Sequence, residues 1–303
     1  MPAQVRPERS RSDFAAVAAV ASTHSRNLPA FVARLGFAAV LLFAQSGAAW
    51  AAIAPSLGTT GPYGVVSDTF TNSNTGTQTL INGNVCYTTP PVTPPVTTNG
   101  TTVTPCPPAT GVDQGAALAI LTGQPCVSLG AGAVALDSII VGANPPGVIP
   151  PGCYSSGGAM NVTLSTSVTL NGAGIYVFLP GGALNTGANS SVILANGACA
   201  GDVYWAPVGA TTLGANAAAS LVPTFVGNIL DAAGVTIGHF ANLTGRALAF
   251  GGTVTTDADT ITVPTCAAFG TAGPVPTLSE WALLMLIVLL AAGGLVATRR
   301  RAR

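Results

Sequence analysis

The sequence predicts an all-β chain, a β-solenoid built of stacked parallel rungs, and three observations carry that expectation. Short apolar-alternating triplets recur: Val168-Thr169-Leu170, Val192-Ile193-Leu194, Thr211-Thr212-Leu213, Val235-Thr236-Ile237 and Val254-Thr255-Thr256. Their middle residues lie 24, 19, 24 and 19 residues apart, a period typical of repeats that bury an apolar side only by stacking. A second series interleaves with the first at residues 175–179, 202–206, 224–230 and 246–250. Turn glycines follow the triplets at Gly172, Gly197, Gly214 and Gly238. Successive strand residues face opposite ways, so Leu170, Leu194, Leu213 and Ile237 are expected inside. The outward column is then Thr169, Ile193, Thr212, Thr236 and Thr255, with Thr163, Thr211, Thr260 and Thr262 as possible extensions.

Residues 1–51 read as a secretory signal with a long basic lead. Arg6, Arg9, Arg11, Arg26 and Arg34 precede or enter an apolar run at 35–44, and Ala49-Trp50-Ala51 fits a small-x-small cleavage site. Residues 52–111 form an N-terminal segment of short strands and a Pro/Thr-rich loop. Asn82-Gly83 marks a turn. The prolines of residues 88–110 lack the donor a sheet interior requires, so that stretch is expected as a surface excursion. Residues 112–270 hold the solenoid and one short flanking helix at 113–122, with Asp113 as its cap and Gly123 and Pro125 ending it.

Six cysteines lie in this exported body: Cys86, Cys106, Cys126, Cys153, Cys199 and Cys266. Disulfides persist outside the cytosol. Of fifteen possible pairings, proximity favours 86 with 106, 126 with 153 and 199 with 266. No C-x-x-C occurs, so no metal or redox site is expected from them, and no cofactor is expected either.

Residues 271–303 form a tail. Val275, Pro276, Thr277, Leu278, Ser279 and Glu280 precede an uncharged run from Trp281 to Thr298, and an arginine cluster ends the chain. As a helix those 18 residues reach about 27 Å, close to a ~30 Å hydrocarbon core. Trp281 stands where an interfacial aromatic belongs, and the arginines should stay cytoplasmic, which leaves the body outside the inner membrane. The Pro-Thr-Leu-Ser-Glu-Trp phrase with its apolar run and arginines resembles the IPTL-CTERM sorting signal of Gram-negative bacteria, with Val275 where that motif usually has Ile. The resemblance implies an exosortase-like processing enzyme as partner, the inner membrane as a transient or permanent anchor, and delivery to the cell surface or beyond.

The body phrases Gly172-Ala173-Gly174-Ile175-Tyr176-Val177-Phe178, Asp202-Val203-Tyr204-Trp205-Ala206-Pro207 and Gly245-Arg246-Ala247-Leu248-Ala249 together resemble the ice-binding-like family, also called DUF3494. That resemblance implies a discontinuous β-solenoid of triangular section with a helix along one side, and ice or another extracellular surface as partner.

Composition removes other classes. The body holds one arginine, no lysine, no glutamate and seven aspartates, so it lacks the clustered cations that displace counterions from phosphate, and no nucleic acid is expected as partner. Catalysis needs paired carboxylates, a nucleophile with its base, or a metal cluster. One histidine and scattered aspartates offer none of these, so a glycan-cleaving β-helix is poorly supported. What remains is adsorption through a Thr-rich face, or a structural or adhesive surface role without ice. Arg246 is expected to close a rung on Asp231 or on carbonyls. Asp257 and Asp259 are expected to make a turn with at most a weak calcium site.

Overall fold

A computed structural model of the chain describes residues 52–217 and 224–266. The expectations for the signal segment and for the tail, including Val275 to Trp281, fall outside the described residues.

Each circuit of the chain lays strands into three parallel stacks. The first stack runs Val127–Gly130, Gly152–Ser156, Tyr176–Pro180, Val203–Trp205, Phe225–Leu230 and Leu243–Asp257. The second runs Val134–Ala135, Met160–Val162, Leu184–Thr186, Thr211–Leu213, Val235–Ile237 and the far half of Leu243–Asp257. The third contains Val148–Ile149, Ser167–Asn171 and Ser191–Ala195. It resumes where the start of Leu243–Asp257 meets Thr260–Thr262, followed by Leu80–Asn82 and Val96–Thr98.

The winding is discontinuous. Tyr63–Ser73 lies between Leu243–Asp257 and Asn84–Thr89, and Thr102–Val103 pairs beyond them. The chain thus builds one end of the stack first and then returns to start the other. The helix Pro108–Thr122 makes the return; its 15 residues cover about 22 Å, four to five rungs at about 4.8 Å each. The sheet therefore runs across the 111/112 boundary drawn from composition, and the stretch 88–110, expected as a surface excursion unable to hold a sheet interior, supplies the short strands Val96–Thr98 and Thr102–Val103, each paired on one side only.

The helix also begins five residues before the expected start. Pro108 occupies its first turn, where the missing N–H costs nothing. Asp113 does not cap it. Its carboxylate accepts the Thr59 N–H and hydroxyl at 2.7 and 2.6 Å, and these bonds hold it below the ordinary carboxylate range. Ala117 and Leu121 pack onto Val66, Val177, Tyr204, Leu230 and Leu248 of the first stack, and Gln114 accepts the Phe250 N–H at 3.0 Å. The first stack is the helix-covered one.

Inside the coil an aromatic ladder climbs at the rung spacing. Ring centroids of Tyr154 and Phe178 lie 5.6 Å apart, Phe178 and Trp205 4.1 Å, and Trp205 and Phe225 5.1 Å. The Trp205 indole N–H donates to the Val226 carbonyl at 2.9 Å, so its one polar atom is satisfied in the core. Disulfides join Cys86 with Cys106, Cys126 with Cys153, and Cys199 with Cys266. Arg246 bonds the Gly61 carbonyl and Asn228 Oδ1 at 2.7 and 2.6 Å. The expected Asp231 partner instead accepts the Thr211 hydroxyl at 2.6 Å.

Candidate adsorption face

The second stack carries no helix among the described residues. Its register aligns one outward residue per rung: Ala135, Asn161, Asn185, Thr212, Thr236, Thr255 and Thr71. Each is exposed or half-buried, while the residues alternating with them, such as Leu184, Leu213, Val235, Ile237 and Val254, are buried. Neighbouring rungs are tied through these outward side chains. Thr71 and Thr255 hydroxyls lie 2.7 Å apart, and Asn185 Nδ2 donates to Asn161 Oδ1 at 3.1 Å.

Small residues flank the column. Ala159, Ala183 and Ala210 precede the strands on one side, and Gly187, Gly214 and Gly238 follow them on the other. A Cβ at Gly214 would lie 2.5 Å from the Gly187 carbonyl carbon, and one at Gly238 would lie 2.7 Å from the Leu213 carbonyl oxygen. At these three rungs the corner is bare backbone, whereas the rung beneath Gly187 carries Thr163 and the exposed Leu164 there.

Charge is confined to the corners. Asp137 accepts the Thr163 N–H at 2.9 Å and its hydroxyl at 2.6 Å. Partial burial pushes the Asp137 carboxyl up, but the Thr163 and Thr166 donors more than offset this and it sits below its ordinary range. On the same edge, just past Gly238, His239 Nδ1 lies 3.1 Å from Asp257 Oδ2. Beneath, Asp259 is fully buried and accepts the N–H groups of Ala241 and Asp257 at 3.1 and 2.7 Å. Burial pushes its carboxyl up to about 8. The one cluster of metal-ligating atoms among the described residues is Cys199, Asp202 and Cys266. Its two sulfurs form a disulfide and so offer no thiolate.

The structure brings Thr212, Thr236 and Thr255 together and places Thr169 elsewhere. Thr169 aligns with Val148 and Ile193 on the third stack. The 19-residue step from Ile193 to Thr212 crosses from one stack to another, whereas the step from Thr236 to Thr255 is a true rung. Thr163 lies at the corner by Asp137. Thr211 points inward, 1% exposed, and Thr260 and Thr262 belong to the third stack. Sequence reasoning missed Asn161, Asn185 and Thr71. A signal existed for two of them: Met160-Asn161-Val162 and Leu184-Asn185-Thr186 are triplets with a large apolar residue before the asparagine and lie 24 residues apart, the same step that separates Thr212 from Thr236.

Comparison with known proteins places this architecture. An ice-binding-like family model matches residues 65–262, and an IPTL-CTERM motif model matches residues 274–301. Ice-binding protein 1 of Shewanella frigidimarina (strain NCIMB 400) is 37% identical over 110 residues, 34% of this chain and 12% of that protein. An ice-binding protein of Flavobacterium frigoris (strain PS1) is 29% identical over 136 residues, 44% of this chain and 47% of that one. The chain thus spans less than half the length of either relative. Among solved structures, an ice-binding protein from an Antarctic biological consortium superposes with a TM-score of 0.58 at 23% identity, covering 71% of this chain and 93% of that one. The DUF3494 domain of the Shewanella frigidimarina protein gives 0.56 at 21%, covering 71% and 99%. At those identities the likeness is one of fold, and the family match carries the rest: this chain belongs to the ice-binding-like family.

Proposed function

We propose that this protein is exported, displayed at the cell surface, and adsorbs to ice through the second stack. The observation that carries the reading is the seven-rung column of small, uncharged residues on a level sheet. Rungs repeat at about 4.8 Å, near a lattice repeat of ice. A rigid array of methyl, hydroxyl and amide groups at that repeat orders water into an ice-like layer, and no charge in the column disrupts it. The aromatic ladder and the glycine corner supply the stiffness, since a face that flexed would lose the match. Nothing in this role needs catalysis.

Export rests on the basic lead and apolar run before residue 52, and surface delivery on the sorting tail. An exosortase-like enzyme is the processing partner that tail implies, with the inner membrane as anchor before cleavage. One observation favours a second reading, adhesion to a surface other than ice: three of the seven column residues, Ala135, Asn161 and Asn185, are not threonine.

The test uses residues 52–274, purified, with ice crystals grown in their presence. Faceted crystals and a gap between melting and freezing are expected. Round crystals at high protein concentration reject ice as ligand and leave the adhesive role.

A further inference from the structure

We propose that the bridge between Cys199 and Cys266 aims the second stack away from the cell envelope, by making the sorting tail leave the body at the opposite corner. The inference rests on the surface-display reading above and adds its geometry. Each circuit passes from the first stack to the second and then to the third. The corner joining third to first is therefore the one facing away from the second stack. Cys199 occupies that corner, after Ser191–Ala195 and just before the turn Ala200–Asp202 that leads into Val203–Trp205.

Cys266 is the last described residue. It is bridged to Cys199, and the Gly201 N–H donates to its sulfur at 3.1 Å. The preceding sheet bond, Val263 N–H to the Asn82 carbonyl at 3.0 Å, lies several rungs nearer one end. The bridge thus carries the exit point back along the edge to the middle of the stack.

The motif match begins at residue 274, so residues 267–273 span the gap. Seven residues reach at most about 25 Å. Turning the second stack towards the anchor would route this linker across a neighbouring stack, about 17 Å for a five-residue strand, and would use most of that reach. The central column of the second stack carries no large apolar side chain; the exposed Leu164 and Val208 stand in the turns that flank it, and Ile53, Val112, Ile120 and Val127 lie on or beside the helix and first stack.

The chain contains no lysine, so once the N-terminal amine is subtracted with the unsubstituted chain, a single introduced lysine reports its own surroundings. Thr212→Lys and Val112→Lys are each made in the full-length chain and displayed on cells. A bulky amine-reactive polymer is added to intact cells, and rates are referred to the same purified chain. Thr212→Lys should react on cells as fast as in solution, and Val112→Lys several-fold more slowly. Equal slowing at both positions, or the reverse order, overturns the proposal. Adding Cys199→Ser with Cys266→Ser should shrink the contrast. A flexible insert of about 20 Gly/Ser residues after Thr271, which touches no bridge, should do the same where the double variant is not displayed. A contrast that survives both changes undamped also overturns the role given to the bridge. The readout does not involve ice, so the contrast together with an unsubstituted chain that shapes no ice refutes the adsorption reading alone.

Discussion

Thr236→Tyr is the perturbation whose size follows most directly from the structure. Thr236 sits in register between Thr212 and Thr255, and its side chain is exposed. From Ala135 to Thr71 the column spans six rung steps, about 29 Å, and with its outward neighbours it is about 13 Å wide, giving roughly 380 Å². If about 57% of that is apolar, as on ordinary protein surfaces, the face contributes about 5 kcal/mol at ~25 cal/mol per Å². A tyrosine ring standing proud lifts a flat partner from its own rung and one on each side, roughly three of seven rungs. The loss is about 2 kcal/mol, more than tenfold in affinity at ~1.4 kcal/mol per decade. Thermal hysteresis measured against concentration should therefore shift by more than tenfold, with an unchanged circular dichroism spectrum. An unshifted curve from a folded variant refutes the assignment of this face.

Other consequences follow from the same geometry. Thr169→Tyr, on the third stack, should leave hysteresis unchanged, and a loss equal to that of Thr236→Tyr would move the site. Trp205→Ala removes the centre of the aromatic ladder and should cost about 3–5 kcal/mol of stability, read by denaturant titration; a cost under about 1 kcal/mol contradicts a continuous core. Gly214→Val places a side chain against the Gly187 carbonyl carbon, and should lower both the melting temperature and ice shaping together. The Asp259 carboxyl, raised to about 8, keeps in the fold a proton that the unfolded chain releases above about pH 4. Stability should therefore fall as pH climbs from about 4 to about 8, Asp231 and Asp202 acting in the same direction. Melting scans across that window check it, and Asp259→Asn should flatten the slope; a profile that rises with pH contradicts the buried, protonated state.

The rung pattern was legible because burial on one side imposes strict alternation. Val168-Thr169-Leu170 and Val235-Thr236-Ile237 announce strands for that reason. The register was not legible, because strands on every stack obey the same alternation and nothing local distinguishes Thr169 from Thr212. Only the length of each circuit separates them, and the circuit varies with its turns. The weight placed on threonine also hid Asn161 and Asn185, although an amide ladder suits an outward column as well as a hydroxyl one. The insertion of Tyr63–Ser73 beside Leu243–Asp257 joins residues far apart in the chain and leaves no local trace. The helix start was masked by Pro107 and Pro108, which read as loop residues and yet suit the first helical turn.

The most direct test of the account is partition into a slowly growing ice front. The parent chain, Thr169→Tyr, and the pair Thr212→Tyr with Thr236→Tyr are frozen side by side, and protein is measured in ice and liquid. The parent and Thr169→Tyr should enter the ice while the paired variant stays in the liquid. Entry of the paired variant, with Thr169→Tyr excluded, would contradict the assignment of the second stack as the adsorbing face.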